Sequence, residues 1–243
     1  MPLDDAQVER ALAIAAHPDD LDFGAAGTIA TWVKSGIAVS YCIVTDGDAG
    51  GFDPAVDRAD IPGIRQREQR AAAAAVGVAD VSFLGHRDGQ VVADLALRRD
   101  LARQIRRVRP QRVLAPSPER NFERVFASHP DHLAAGEAAL CAVYPDARNP
   151  FAYPELLADE GLEAWVVPEV WLQGAPDGRT TTYVDATDVF DAKLAALRAH
   201  VSQTEHMDDL ECLLRSWMGG VAFAGRLAPG RLAEGFQVLD TGE

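Results

Sequence analysis

The chain has 243 residues, and 23 lysine and arginine residues against 37 aspartate and glutamate residues give it a formal net charge of −14. Hydrophobic residues make up 48% and charged residues 25%, a balance that is typical of globular proteins and excludes a disordered or fibrous chain. The negative charge argues against general binding to nucleic-acid phosphates or to anionic membranes.

Strand-like and helix-like segments alternate along the first 145 residues. Two apolar runs bounded by turn signals, 11–16 and 37–45, are typical of strands covered on both faces. Shorter strand candidates follow at 81–84, 112–115, 169–172 and 181–184. Helical patterns, several of them ended by Gly or Pro, cover 25–35, 62–76, 95–108, 130–143, 187–201 and 207–218. This alternation predicts an α/β fold with a mostly parallel sheet, and the length fits one domain over residues 1–243.

Membrane spans, targeting segments and disulfides are not predicted. No apolar run approaches the roughly 20 residues of a membrane span, and residues 1–10 lack a signal-peptide core, so we expect a cytoplasmic protein. Cys42, Cys141 and Cys212 lie far apart and are odd in number, which argues against a disulfide framework and a cysteine zinc site. We expect all three to be buried or half-buried thiols.

A repeated His-Pro-Asp triplet carries the functional signal. His17-Pro18-Asp19-Asp20 follows the first predicted strand, and His129-Pro130-Asp131-His132 follows the fourth. Composition alone predicts on the order of a few hundredths of a copy of this triplet. Ligands of open parallel sheets bind beyond the carboxyl ends of the strands, where both copies are expected.

A metal site explains this clustering best. His17 and Asp20 lie three residues apart on a turn, and His132 can complete a His₂-Asp set that leaves a coordination position open for water, as catalytic zinc requires. Asp19 is then placed to take a proton from that water. His129 can face a developing oxyanion or donate to a leaving amine. The alternative is that these residues only cap the helices that follow them.

The motifs resemble a known family. AHPDDLDFG followed by GTIATWVKSG, together with SHPDH, is similar to the LmbE-like, or PIG-L, family of zinc-dependent de-N-acetylases, from about residue 11 to residue 236. The resemblance implies a Rossmann-like three-layer fold and removal of the acetyl group from an N-acetylglucosamine-type amino sugar or its glycoside. It also implies metal ligands at His17, Asp20 and His132, a base at Asp19, and oxyanion stabilisation or proton delivery by His129.

Two substrate-binding residues are implied by the resemblance alone. Arg65, in an R-x-x-E segment, matches a substrate-binding arginine of the family, and Asp88, in GHRDG, matches an aspartate that holds sugar hydroxyls. An exposed helix charge and a turn aspartate are the respective alternatives. Loop 46–60 follows the second strand and is expected to border the same crevice.

Other matched positions carry no chemical assignment. Lys193, His200, Ser202 and Gln203 resemble a family segment that we interpret as structural or loop-anchoring, and Glu234 matches a family element without an assigned role. One departure is that many members read H-P-D-D-E. Here Leu21 takes the fifth position and Asp22 follows, so the surroundings of the ligands are expected to differ.

Three alternative functions stay open. The same machinery could cleave a larger amide conjugate, such as a mycothiol adduct. A nucleotide-binding Rossmann protein is a second alternative, although residues 24–27 lack the G-x-G-x-x-G spacing. A non-catalytic metal-binding regulator is the third. For the cofactor we expect Zn²⁺, with Fe²⁺ compatible, and for the partner a small N-acetylated sugar; a homo-oligomer is compatible with the sequence.

Overall fold

The computed structural model describes residues 2–176 and 178–242, and within them seven strands form one sheet. Its order is β3-β2-β1-β4-β5-β7-β6, in which β1 to β5 run parallel and β7 is antiparallel to both of its neighbours. The strands are β1 (Arg10–Ala15), β2 (Ala38–Thr45), β3 (Asp80–His86), β4 (Arg112–Pro116), β5 (Glu169–Gln173), β6 (Thr182–Asp185) and β7 (Ala233–Asp240). The predicted α/β fold with a mostly parallel sheet is confirmed.

Helices cover both faces of the sheet. They are α1 (Asp20–Gly24), α2 (Ala26–Lys34), α3 (Ile61–Ala75), α4 (Leu95–Val108), α5 (Pro130–Cys141), α6 (Pro154–Ala158), α7 (Phe190–Ala199), α8 (Val201–Thr204) and α9 (Leu210–Ala224). Along β1, Ala11 and Ala13 belong to the apolar cluster formed with α2, α3, α7 and α9, whereas Leu12 and Ile14 belong to the cluster formed with α4 and α5. This period-two alternation within a fully buried strand produces the three layers. Among the helices of the described residues, none has the length and apolar character that a bilayer crossing requires.

The position of the site follows from the strand order. Beginning at β1, the chain adds strands outward through β2 to β3 and then returns to place β4 on the other side of β1. A crevice opens at such a reversal because the loops after the two central strands leave toward opposite faces. Those loops carry the two His-Pro-Asp motifs.

Several elements and one cysteine differ from the sequence expectations. Helices α1, α6 and α8 were not predicted, because each has five residues or fewer and is too short for a periodic pattern. Strand β7 has no counterpart among the predicted strands, because Glu234 and Gly235 interrupt the apolar alternation at its start. Helix α9 continues past Gly219 and Gly220, which favoured an end at residue 218, because its buried face continues to Ala222. Two of the thiols are buried or half-buried as expected, but Cys212 is exposed on α9, so the expectation for that thiol is wrong.

Candidate active site and metal centre

The two His-Pro-Asp motifs meet at the carboxyl ends of β1 and β4. Nδ1 of His17 lies 3.2 Å from Nε2 of His132 and 3.5 Å from Oδ2 of Asp20. Nε2 of His132 lies 3.0 Å from Oδ1 of Asp20. The three side chains thus offer two imidazole nitrogens and one carboxylate oxygen within 4.8 Å of one another. The predicted convergence of His17, Asp20 and His132 is observed.

The chemistry of this donor set fits a divalent metal ion. Two imidazoles and one carboxylate suit zinc and other first-row divalent metals. Burial alone would lower the pKa of His17, but the carboxylates of Asp20 and Asp88 outweigh it and raise that pKa to about 11. The negative charge that holds a proton on this ring equally favours a metal cation beside it. The chain therefore has a His/Asp site able to bind a metal.

Asp131 supports the ring of His17 from the other side. Its Oδ2 lies 3.2 Å from Nε2 of His17, and its two oxygens accept backbone hydrogen bonds from Gly89 at 2.7 Å and Val91 at 3.2 Å. A carboxylate at Nε2 holds the proton there and leaves Nδ1 free as a ligand atom. Sequence reasoning missed this role. The His-Pro-Asp triplet is the only sequence signal for Asp131. In the first copy of the triplet the equivalent residue is Asp19, which has different contacts.

Asp19 is held in an unusual conformation by α3. Its φ of 93° lies in the left-handed region, which residues other than glycine rarely adopt. The guanidinium of Arg65 donates to Oδ2 of Asp19 at 3.1 Å and to the carbonyl of Pro18. Burial raises the pKa of the Asp19 carboxyl to about 7, against the opposing effect of Arg65. A carboxylate with these surroundings is suited to accept a proton near neutral pH.

His129 stands at the start of α5 and lies beside His17 and His132. Its Nδ1 accepts a hydrogen bond from the backbone N–H of Asp131 at 3.2 Å, so in the neutral ring Nε2 carries the proton and can donate. Its ring centroid is 4.9 Å from that of His17 and 5.5 Å from that of His132. Burial, together with the charge of His17, lowers the pKa of His129. The capping alternative thus describes one bond of His129, whereas Asp19 makes no capping bond with its side chain.

Arg65 and Asp88 both lie against the site. Arg65 is 3% exposed and donates to the loop of the first motif. Oδ1 of Asp88 lies 3.2 Å from Nε2 of His17, and the backbone N–H of Asp88 donates to Asp48 at 2.9 Å. Loop 46–60 is therefore tied to the site through Asp48. The sugar-binding roles of Arg65 and Asp88 stay predictions.

Lys193 and Glu234, which have no chemical assignment from the sequence, form a buried ion pair beneath the first motif. Glu234 accepts from the backbone N–H groups of Gly27 at 3.0 Å and Thr28 at 2.6 Å, and it pairs with Nζ of Lys193 at 2.7 Å. Lys193 also donates to the carbonyls of two α1 residues, Asp22 at 2.9 Å and Phe23 at 2.5 Å. These contacts anchor α1 and the start of α2.

The H-x-S-Q segment is anchored to α3. Ser202 donates to Glu68 through its backbone N–H at 2.8 Å and through its hydroxyl at 2.7 Å. His200 contacts the carboxylate of Asp22 and is fully buried. These contacts join α8 to α3, and they join His200, which lies between α7 and α8, to α1.

Comparison with protein families identifies the chain. The family described as GlcNAc-PI de-N-acetylase, PIG-L, matches residues 12–143, which is more than half of the chain and includes both His-Pro-Asp motifs. This chain belongs to the PIG-L family.

Several curated proteins resemble this PIG-L protein over most of its length. Diacetylchitobiose deacetylase of Thermococcus kodakarensis is 31% identical, over 96% of this chain and 84% of that protein. The 1D-myo-inositol 2-acetamido-2-deoxy-alpha-D-glucopyranoside deacetylase 1 of Saccharopolyspora erythraea is 32% identical, over 88% of this chain and 82% of that protein. Because the matches span nearly whole proteins, the likeness is not confined to the two motifs.

Solved structures share the fold. N,N'-diacetylchitobiose deacetylase from Pyrococcus horikoshii superposes with a TM-score of 0.85 at 29% identity, over 97% of this chain and 85% of that one. GalB, the 4-carboxy-2-hydroxymuconate hydratase of Pseudomonas putida, has a TM-score of 0.77 at 24% identity, over 95% and 96% of the two chains. A hydratase on the same architecture shows that the fold alone does not determine the reaction. The reaction must therefore be inferred from the residues of the site.

Proposed function

We propose that this PIG-L protein is a zinc-dependent hydrolase that removes the N-acetyl group from an N-acetylglucosamine-type amino sugar or its glycoside. The observation that carries the proposal is the approach of His17, Asp20 and His132 at the crevice between β1 and β4. The curated relatives, which are deacetylases of N-acetylated amino sugars by name, supply the reaction class.

His17, Asp20 and His132 would hold the metal, with Asp131 fixing the orientation of His17. Zinc suits this donor set, and Fe²⁺ is compatible with the same ligands. When bound, such an ion activates a water molecule and polarises an amide carbonyl.

The remaining residues divide the proton transfers. Asp19 accepts the proton of the attacking water, since its carboxylate lies beside the ligands but is held apart from them by Arg65. The N–H at Nε2 of His129 donates to the amide oxygen as negative charge develops there, or delivers a proton to the departing nitrogen. The carbonyl carbon gains a bond to oxygen and loses its bond to nitrogen, which yields acetate and a free amino sugar.

The outer parts of the site would orient the sugar. We propose that Arg65 and Asp88 contact its hydroxyl groups and that loop 46–60, tied to the site through Asp48, influences which sugars enter. We also propose that residues 1–243 act as one domain, because β7 pairs with β5 in the sheet that contains β1. A cytoplasmic location is part of the same proposal.

The test is acetate release from a panel of N-acetylated sugars, their glycosides and larger amide conjugates, measured before and after removal of metal by a chelator. We expect release from at least one N-acetylglucosamine derivative, loss after chelation and recovery with added zinc. Cleavage of larger conjugates without acetate release would favour the amidase alternative. Metal binding without cleavage of any amide in the panel would favour a non-catalytic regulator.

A further inference from the structure

Asp22 is the acidic residue displaced by one position from the H-P-D-D-E pattern. Its side chain is fully buried in α1. Oδ2 of Asp22 accepts a hydrogen bond from Nε2 of Gln69 at 2.8 Å and lies 2.8 Å from Nε2 of His200, which is also fully buried. Asp22 is therefore the meeting point of α3 and the segment that joins α7 to α8.

Gln69 links this buried group to Asp19. It lies on α3 one turn after Arg65, is fully buried, and its Oε1 accepts the backbone N–H of Asp19 at 2.8 Å. Because an ionised carboxylate only accepts hydrogen bonds, Asp22 determines that the NH₂ group of Gln69 faces it. The oxygen of the same amide must then face Asp19. His200, which donates to the same carboxylate oxygen, holds Asp22 in place.

The hydrogen bond between Gln69 and Asp19 is made at a residue whose backbone conformation is unfavourable. With a φ of 93°, Asp19 has a conformation that residues other than glycine rarely adopt, and its neighbours must maintain it. α3 supplies two contacts: Arg65 binds the carboxylate of Asp19 and the carbonyl of Pro18, and Gln69 binds the amide of Asp19. Together, Arg65 and Gln69 fix the carboxylate and the backbone amide of Asp19.

We propose that Gln69, oriented by Asp22 and His200, is a positioning residue that fixes the direction of the Asp19 carboxylate in the active site. The proposal rests on the proposed function, in which Asp19 accepts the proton of the attacking water. It assigns a purpose to the displaced acidic residue and to the histidine of the H-x-S-Q segment.

Reversing the polarity of the hydrogen bonds tests the proposal. Gln69→Glu places two carboxylates together. Asp22→Asn alone can turn its amide oxygen into the place of Oδ2 and keep both hydrogen bonds, because Gln69 and His200 contact that one oxygen. Gln69→Glu should lower kcat about 10- to 100-fold with KM changed less than about twofold, because a misplaced group costs rate rather than binding, and Asp22→Asn should lower kcat less than Gln69→Glu does. Metal content should stay at the wild-type value.

The double variant Asp22→Asn/Gln69→Glu keeps the net charge and restores the hydrogen bond between positions 69 and 22 in the opposite sense. Its carboxylate at position 69 accepts from the Asp19 N–H and from the new NH₂ group at position 22. That NH₂ group can also donate to Nε2 of His200, whose Nδ1 has no hydrogen-bond partner among the described residues and can carry the proton. Wild type, the two single variants and the double variant form a closed cycle. We expect kcat of the double variant to recover to within about threefold of wild type, since coupled neighbours are not additive.

Ser202→Ala is the matched control. It removes a 2.7 Å hydrogen bond between the same two parts of the chain, α3 and the segment after His200, but the lost bond involves no residue of the 17–22 loop. It should change thermal stability without changing kcat. A second readout is hydrogen exchange of the Asp19 amide, which should be faster in Gln69→Glu than in wild type and the double variant.

The outcomes separate this inference from the proposed function. If wild type cleaves no substrate of the panel, the proposed function fails, while exchange at Asp19 still tests the network. Full kcat in Gln69→Glu, a double variant no better than Gln69→Glu, or metal lost in step with kcat would overturn the inference. If Asp22→Asn does not fold, His200→Leu should lower kcat and His200→Gln, which keeps a donor near Nε2, should not; equal rates would overturn it.

Discussion

The guanidinium of Arg65 and the carboxylate of Asp19 form an ion pair inside the protein, with Nη2 3.1 Å from Oδ2. Arg65 also donates to the carbonyl of Pro18, one residue earlier, and only 3% of Arg65 is exposed. The arginine that the resemblance assigns to the substrate is therefore also a contact of the proposed base. Because Arg65 also contacts Asp19, replacing Arg65 should affect kcat and not only KM.

Arg65→Met should lower kcat at least tenfold, because the Asp19 carboxylate loses the group that orients it, and metal content should not change. Asp88→Ala, by comparison, should mainly raise KM, because its proposed role is to bind the sugar. Steady-state kinetics with metal analysis distinguishes the two effects. Arg67→Met, which alters an exposed residue of the same helix, is the control. A higher KM with unchanged kcat for Arg65→Met would reduce its role to sugar binding.

Asp19 and Asp20 are neighbours with different proposed tasks. Asp19→Asn should keep the metal and lose about 10²–10⁴-fold in rate, which is the usual contribution of general acid–base catalysis. Asp20→Asn and His132→Ala should instead weaken metal binding, with partial rescue of activity by excess zinc. The measurement is metal stoichiometry after dialysis alongside the deacetylation rate. An active Asp19→Asn variant, or full metal occupancy in His132→Ala, would contradict this division.

Asp131 is expected to affect the metal without binding it. Asp131→Ala removes the carboxylate at Nε2 of His17 and frees the N–H groups of Gly89 and Val91. Loss of such a partner typically lowers metal affinity about 10- to 100-fold. Titration of the metal-free protein with zinc measures this change. Unaltered affinity would show that Asp88, also 3.2 Å from Nε2, is sufficient to orient the ring.

Arg112 is expected to stabilise the end of the sheet opposite the site. It is fully buried, pairs with Glu169 at 2.5 Å, and stacks on Trp32 and Trp171 with its guanidinium carbon 4.8 and 4.5 Å from their ring centroids. Arg112→Met leaves Glu169 as an uncompensated buried charge, which typically costs about 3–5 kcal/mol of unfolding free energy. Urea unfolding measures the change, and kcat of the folded fraction should not differ from wild type.

The control for that experiment is an exposed pair of the same chemistry. Arg215 and Glu211 form an i,i+4 contact at 2.9 Å on α9, and their side chains are 50% and 42% exposed. Arg215→Ala should change the unfolding free energy by less than about 1 kcal/mol. If the two arginine variants were equally stable, the buried pair at Arg112 would have no special role. Adding Glu169→Gln to Arg112→Met should recover part of the loss.

The sequence by itself determined the six strands from β1 to β6, the longer helices and the segments that carry the site. Local signals were sufficient there, because buried strands are continuous apolar runs and glycine or proline ends the helices. The repeated His-Pro-Asp triplet indicated the ligands, since both copies follow strands whose carboxyl ends meet at one edge of a parallel sheet. Strand β7 lacked such a signal because Glu234 and Gly235 break its alternation.

Only the tertiary structure decided how the polar residues are partnered. Asp131 and Asp19 share a place in the same triplet, yet one contacts His17 and the other contacts Arg65 and Gln69. Gln69 lies 50 residues along the chain from Asp19, which it supports, and the histidine that holds Asp22 lies 178 residues from it. Hydrogen bonds over such separations leave no periodic trace in the sequence, because buried polar groups are matched by distance and direction in space rather than by spacing along the chain.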